Sequence, residues 1–187
     1  MTDFVKEKFG NVWLKEYHLL KQSRIIDAIR IRTNTYGTKV ALARDDKNVD
    51  IMCRRCHAQS ETLGHILGLC QHTKGLRIKR HDEVKTLLAK KLQAQKEVFV
   101  EPSIKIGDNL CKPDFAVKNE HRILVVDVTV RYENRDYLQK AAKEKVDKYL
   151  PCLRILKSKY SFNEGAVSPV VLGSRDAITP ETVKNFK

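Results

Sequence analysis

Asp114 and Asp127 stand in stretches where a strand expects apolar residues, and twelve residues lie between them. The first stretch is Lys112-Pro113-Asp114-Phe115-Ala116-Val117. A polar break at Lys118 to Arg122 follows, and then Ile123-Leu124-Val125-Val126-Asp127-Val128-Thr129-Val130. Two β-type runs joined by a short polar turn predict a hairpin. Aspartate is a poor strand former and costly to bury without a partner. Divalent metal binding gives it a reason to be there, because Mg²⁺ takes oxygen ligands, typically one or two carboxylates plus phosphate and water. Acids on adjacent strands of one sheet can meet around such an ion. A strand-end aspartate paired with one of the chain's many cations explains the same pattern, and the strands alone leave both open.

A second set of residues has metal-ligand spacing. Cys53, Cys56, His65 and Cys70 form Cys-x2-Cys-x8-His-x4-Cys within eighteen positions. Zn²⁺ is held by four nitrogen or sulfur ligands in a tetrahedron, and Cys-x2-Cys supplies two thiolates from one turn. A short amphipathic helix with Ser60 and Glu61 near its start, and Leu63, Ile66, Leu67 and Leu69 along it, would bring in His65 and Cys70. Four protein ligands leave no open position, so the expected zinc is structural. His57 and His72 are alternatives without so regular a spacing. Cys111 and Cys152 are left over and are expected as free thiols packed as small apolar groups.

The third set is basic. The chain has 36 Lys+Arg against 23 Asp+Glu, net +13, with pI near 9.6. Such a balance favours nucleic acid or another polyanion as partner. The excess is distributed, and its densest block runs from Lys74 to Lys96 with eight basic residues and two acids. No secretory or membrane-length apolar run is present, which argues against a membrane role. The cysteines are therefore read in a reducing compartment, where clusters indicate metal.

The elements that must position these residues follow from periodicity. Residues 3–32 read as two helices, and Arg30 to Lys39 closes the second with cations around Tyr36. Arg44 to Asp50 is a polar linker. Gly75 breaks the chain, and Leu76 to Gln95 reads as a basic helix with Val84, Leu87, Leu88 and Leu92 as its buried stripe. At about 100° per residue, Arg77 and His81 fall on that stripe. A satisfied core histidine accounts for His81 on periodicity alone. Short strands follow at Val98 to Pro102, interrupted by Pro102, and at Ser103 to Ile106. After the Asp127 strand, Asp136 can cap a helix from Tyr137 to about Leu150, ended by Pro151. Its stripe is Leu138, Ala141, Ala142, Val146, Tyr149 and Leu153, with Lys145 close to its centre and Lys148 on its rim. A lysine facing a sheet with two aspartates has a counter-charge there and suits phosphate stabilisation. Snorkelling explains it too. Ala166 to Leu172 reads as a further strand, with a helix start at Thr179-Pro180-Glu181. The domain boundaries this predicts are 1–48 (basic, helical), 49–73 (zinc knuckle) and 74–187.

Helix, strands, Pro-Asp, Asp and helix in this order resemble the PD-(D/E)xK restriction-like nuclease core. The usual lysine two residues after the second acid is replaced by Thr129. The whole pattern resembles one branch: the C-terminal end of the polyprotein of site-specific non-LTR retrotransposons, the group that includes ribosomal-DNA-inserting elements. Over roughly residues 25–175 its pieces come in family order: the Cys53/Cys56/His65/Cys70 knuckle, Arg80-His81-Asp82, Lys112-Pro113-Asp114, Asp127, Glu133 six residues on, and Lys145-Val-Asp-Lys148-Tyr149. The resemblance implies an α/β restriction-endonuclease-like core, a mixed sheet flanked by helices, behind a CCHC knuckle. It implies an Mg²⁺- or Mn²⁺-dependent DNA endonuclease with Asp114 and Asp127 on the metal, Glu133 assisting, and the catalytic lysine moved to the helix as Lys145, with Lys148 as its substitute. Arg77, Lys79, Arg80 and His81 become nucleic-acid contacts. Double-stranded target DNA, element RNA and an upstream reverse transcriptase region of the same polyprotein are the implied partners, and the nucleus is the implied location. The other readings of the same residues are a non-catalytic nucleic-acid-binding module and a branched-DNA resolvase.

Overall fold

The computed structural model describes residues 21–44, 46 and 48–184. The helix expected over residues 3–20 lies outside them. The chain divides into two units, residues 1–79 with 173–178 and residues 80–172 with 179–187.

In the first unit, α1 (Gln22–Arg32) carries Arg30 and Arg32 in its last turn, where cations suit the carbonyl end of the helix dipole. The short run at Val40 forms the helical turn α2 (Lys39–Leu42), capped by Thr38 Oγ1, which accepts from Ala41 N at 3.2 Å. A Met52–Ser60 bridge and a single wide turn, His65–Leu69, frame the cysteine cluster. Helix α3 (Lys74–Gln93) starts in this unit and runs on into the second. Gly75 lies inside its first turn rather than before it. Glycine costs only about 1 kcal/mol of backbone entropy even in a helix interior, so a single one in the first turn does not stop the helix.

The second unit is built on a four-stranded sheet in the order β1 (Glu97–Val100), β4 (Phe115–Asn119), β5 (Arg122–Arg131), β6 (Glu164–Gly173). β1, β4 and β5 pair antiparallel. β6 is joined to its neighbour β5 through α4 (Tyr137–Lys159), the crossover a parallel pair requires, so the sheet is mixed. β2 (Ile104–Ile106) and β3 (Asn109–Cys111) form a separate hairpin around Gly107, whose φ of +58° suits glycine. The residues after Gly107 therefore make a strand of their own before the Asp114 strand begins.

The two sheet faces bury different cores. Ala116, Ile123 and Val125 pack with Tyr149, Cys152, Leu153 and Leu156 of α4. Phe115, Val117, Val126 and Val128 pack with Val84, Leu88 and Leu92 of α3. Leu87 belongs to neither and is exposed, because the stripe of α3 is narrower than its leucines suggest. Gly165 brings β6 close: a Cβ there would meet Ile123 O and Leu153 Cδ1 at 2.8 Å each.

Pro151 does not end α4, which continues to Lys159. An interior proline costs about 3 kcal/mol. Beyond it Leu153 and Leu156 are buried, and each buried leucine contributes roughly 1.5–3 kcal/mol. Packing outweighs the break. Asp136 stands at the N-cap without a capping hydrogen bond and pairs instead with Lys140 Nζ at 3.0 Å. Cys111 and Cys152, expected as free thiols, are bonded to each other and tie β3 to α4. Pairing across 41 positions requires strand and helix to lie side by side, which composition does not reveal.

Candidate functional sites

The hairpin register brings the two acids together. Phe115 pairs with Val126, and continuing that register sets Asp114 opposite Asp127. Strand alternation turns Asp127 to the face that carries Ile123 and Val125, beneath α4. Asp127 is 3% exposed. Lys145 Nζ reaches its Oδ2 at 2.6 Å, a charge-assisted ion pair at a buried oxygen. The Tyr149 hydroxyl, one turn on, lies beside the same carboxylate and donates to Lys112 O at 3.4 Å. Burial and then Asp127 push the phenol well above its ordinary value, so it stays a neutral donor.

Asp114 Oδ2 accepts the Val128 N–H at 2.7 Å. Burial nevertheless raises the Asp114 carboxyl above its ordinary range, and neighbouring Asp127 adds to the rise. From α3, His81 Nε2 donates to Val128 O at 3.2 Å and stands 3.8 Å from Asp114 Oδ2, while its Nδ1 is 3.1 Å from Asp82 Oδ1. Two acids, one lysine, one histidine and one tyrosine thus converge from a hairpin and two helices. Glu133 is half-buried on the connection between β5 and α4. Lys148 is exposed, with Nζ 4.8 Å from the Tyr149 ring centre. Arg80 is half-buried next to His81, and Lys79 is exposed. Arg77 lies in the first unit, where its guanidinium donates to Cys70 O at 2.6 Å and Thr73 Oγ1 at 3.0 Å.

The first unit holds the second site. The ligand atoms of Cys53, Cys56, His65 and Cys70 all lie within 4.8 Å of one another. Cys53 and Cys70 sulfurs are 4.0 Å apart, and Cys56 Sγ is 3.2 Å from His65 Nε2. Tetrahedral zinc with Zn–S of about 2.3 Å separates two sulfurs by roughly 3.8 Å. The set fits Zn²⁺. The Cys53–Cys56 turn is closed by the His57 N–H on Cys53 O at 2.9 Å, with His57 left-handed at φ +52°. Backbone N–H groups of Cys56 and then Arg55 lower the Cys53 thiol to about 6, which favours the thiolate a metal needs. Burial pushes the Cys70 thiol the other way. The wide turn His65–Leu69 closes with the Cys70 N–H on His65 O at 2.8 Å and so returns Cys70 to His65.

Supporting residues are harder to read from sequence. Gln59 Oε1 stands 3.0 Å from His65 Nδ1, which leaves Nε2 for the metal. Glu61 is not a helix cap but a buried acid: it accepts from Arg54 Nε, Arg54 N and Lys39 N, and Arg54 also reaches Gly37 O. The Arg54 pairing lowers Glu61 to about 2. Helix capping falls instead to Thr62, whose Oγ1 accepts from His65 N at 3.0 Å. An acid five residues after a Cys-x2-Cys turn containing two arginines was the available signal.

Three curated proteins resemble the chain. A Pol polyprotein of the type-2 retrotransposable element R2DM from Drosophila melanogaster is 29% identical over 132 residues, 70% of this chain. Pol polyproteins of type-1 elements R2 from Popillia japonica and Bradysia coprophila are 30% and 32% identical over 80% and 84% of it. The chain is homologous to a region of R2 retrotransposon Pol polyproteins. It spans 12%, 32% and 18% of the lengths of these relatives, in the same order. No family model matches it. Among the described residues no helix is long and apolar enough to cross a membrane.

Proposed function

We propose that the second unit is a metal-dependent DNA endonuclease of restriction-like type, and that the knuckle is a zinc-built nucleic-acid-binding element. The observation that carries the reading is Lys145 on Asp127, with Asp114 opposite. A buried carboxylate facing a second carboxylate across the hairpin is a hard-oxygen donor set of the kind Mg²⁺ or Mn²⁺ takes. Bound between Asp114 and Asp127, with Glu133 near enough in sequence to assist, the ion would supply an acidified water and a polarised phosphoryl group. Lys145 is the counter-charge of Asp127 in the metal-free chain and a cation for the phosphate once that role is relieved. Lys148, one turn fraction away and exposed, can substitute for it. Tyr149 donates to the Lys112 carbonyl, two residues before Asp114. His81 joins α3 to the Val128 carbonyl beside both acids, and with Arg80 and Lys79 offers donors to the cleaved strand.

The R2 relationship supports the retrotransposon context, and with it the proposal that the nick primes reverse transcription of element RNA in the nucleus. The polymerase would be an upstream region of the same polyprotein. The layout proposed is a basic region to residue 48, the knuckle over 49–73 and the nuclease from 74. A duplex treated with the chain and Mg²⁺ should acquire a 3′-hydroxyl that a DNA polymerase extends. Cleavage absent at every Mg²⁺ and Mn²⁺ concentration would refute the reading. Thr129, in the place where related nucleases carry lysine, favours the rival of a non-catalytic binding module, which predicts salt-sensitive DNA binding and no cleavage. Preference for four-way over linear DNA would indicate the resolvase reading.

A further inference from the structure

We propose that Lys85, held in place by Glu101, binds the DNA backbone phosphate next to the one aligned with Asp114 and Asp127. For its choice of ligand this rests on the nuclease reading. Lys85 is four residues after His81 and so shares its face of α3. Its side chain is 20% exposed and its ammonium is bound by the Glu101 carboxylate, which is 57% exposed. Glu101 follows β1 directly. The β1–β4 register pairs Val100 with Phe115, so Glu101 lies opposite Asp114, and its N–H donates to Asp114 O at 2.8 Å. Lys85 is within electrostatic reach of Asp114 and Asp82.

The backbone of Glu101 is the unexpected part. Its φ is +48°, left-handed, a region that favours glycine and asparagine. Pro102 follows, and a proline pushes the residue before it towards extended backbone. An ion pair with so exposed an acid contributes less than such a conformation costs. Stability therefore does not explain why a glutamate stands there. Placement does: the strained residue fixes a carboxylate one strand away from Asp114, and that carboxylate fixes Lys85. α3 and α4 cover opposite faces of the sheet, so Lys85 and Lys145 approach the two acids from opposite sides. Lys145 is engaged by the buried Asp127, whereas Lys85 is paired with an exposed carboxylate and so can also take a neighbouring phosphate. An ammonium has three donors, so a phosphate can join the Glu101 carboxylate on Lys85 without displacing it.

The test measures DNA affinity of the 187-residue chain against salt, in Mg²⁺-free buffer, for wild type, Lys85→Gln, Lys85→Arg and Glu101→Gln. Loss of one phosphate contact should lower the slope of log affinity against log salt by about 0.9 in Lys85→Gln. Affinity at about 0.1 M salt should fall roughly fivefold to tenfold, equally for all sequences. Lys85→Arg should restore the slope, and Glu101→Gln should weaken binding less than Lys85→Gln. Thermal melts of each variant establish folding, and the arginine variant separates charge from packing. An unchanged slope in Lys85→Gln overturns the proposal, as does wild-type binding without salt dependence. A Glu101→Gln variant that binds normally but needs much more Mg²⁺ to nick overturns it too, by making Glu101 a metal ligand. If wild type never nicks while Lys85 still sets the slope, the nuclease reading falls and the phosphate contact stands.

Discussion

Replacing Lys145 with methionine should destabilise the Mg²⁺-free chain far more than a surface lysine change. Lys145 is 21% exposed and Asp127 5% by side chain, and Lys145 is the cation paired with this carboxylate. Removing one member of a buried pair typically costs 3–5 kcal/mol, because the remaining charge is stranded. Partial exposure of the ammonium places this pair at the lower end, about 3 kcal/mol. For a chain of this size that corresponds to a melting shift of roughly 6–12 °C. Asp127→Asn in the same background removes the stranded charge. The double variant should therefore recover about 2 kcal/mol relative to the sum of the single changes. Urea denaturation of the four proteins in Mg²⁺-free, zinc-containing buffer closes the cycle. Strict additivity would show that Lys145 and Asp127 do not act on each other, and the ion-pair argument would fail. The same series in Mg²⁺ should show Lys145→Met partly rescued, since the ion replaces the missing cation beside Asp127.

Three further outcomes follow from the site geometry. Asp114→Asn should raise the melting point of the Mg²⁺-free chain at neutral pH and abolish nicking: burial lifts the folded-state pKa, so ionised Asp114 costs stability as pH rises through it, and asparagine keeps an acceptor for the Val128 N–H. Glu61→Gln should destabilise the knuckle at pH 7 by up to roughly 3 kcal/mol. Its pKa of about 2 lies below the ordinary 4.5, so the Arg54 contribution is complete above pH 4.5 and the gap between wild type and variant should close as pH falls towards 2. Cys53→Ser with Cys56→Ser should abolish zinc binding and unfold residues 49–73 while leaving the α4–sheet unit melting as before, and one zinc per chain in the double variant would contradict the four-ligand site.

The hairpin is legible because Phe115 to Val117 and Ile123 to Val130 are near-continuous apolar runs rich in β-branched residues around a polar turn, and an odd residue separation fixes which side chains share a face. The knuckle is legible because thiol spacing is a local constraint that a single turn satisfies. Lys145 can be placed by helical arithmetic since α4 is long and its apolar stripe regular. The features that escape are those set by packing between distant elements. Pro151 stops a helix only when nothing beyond it is buried, and here Leu153 and Leu156 are. Leu87 looks like core until α3 is laid on the sheet. Cys111 meets Cys152, and Glu101 meets Asp114, only after β3, α4 and the β1–β4 register are known. Glu61 is unremarkable as a letter in the chain and becomes the hub of the knuckle through Arg54, Lys39 and Gly37 around it.

Nicking of supercoiled plasmid by wild type and Asp127→Ala, each with Mg²⁺, with Mn²⁺ and without divalent metal, tests the central claim most directly. The account predicts open-circular product from wild type only when metal is present, and none from the variant under any condition. Equal nicking by the two proteins would contradict it and remove Asp127 from the chemistry.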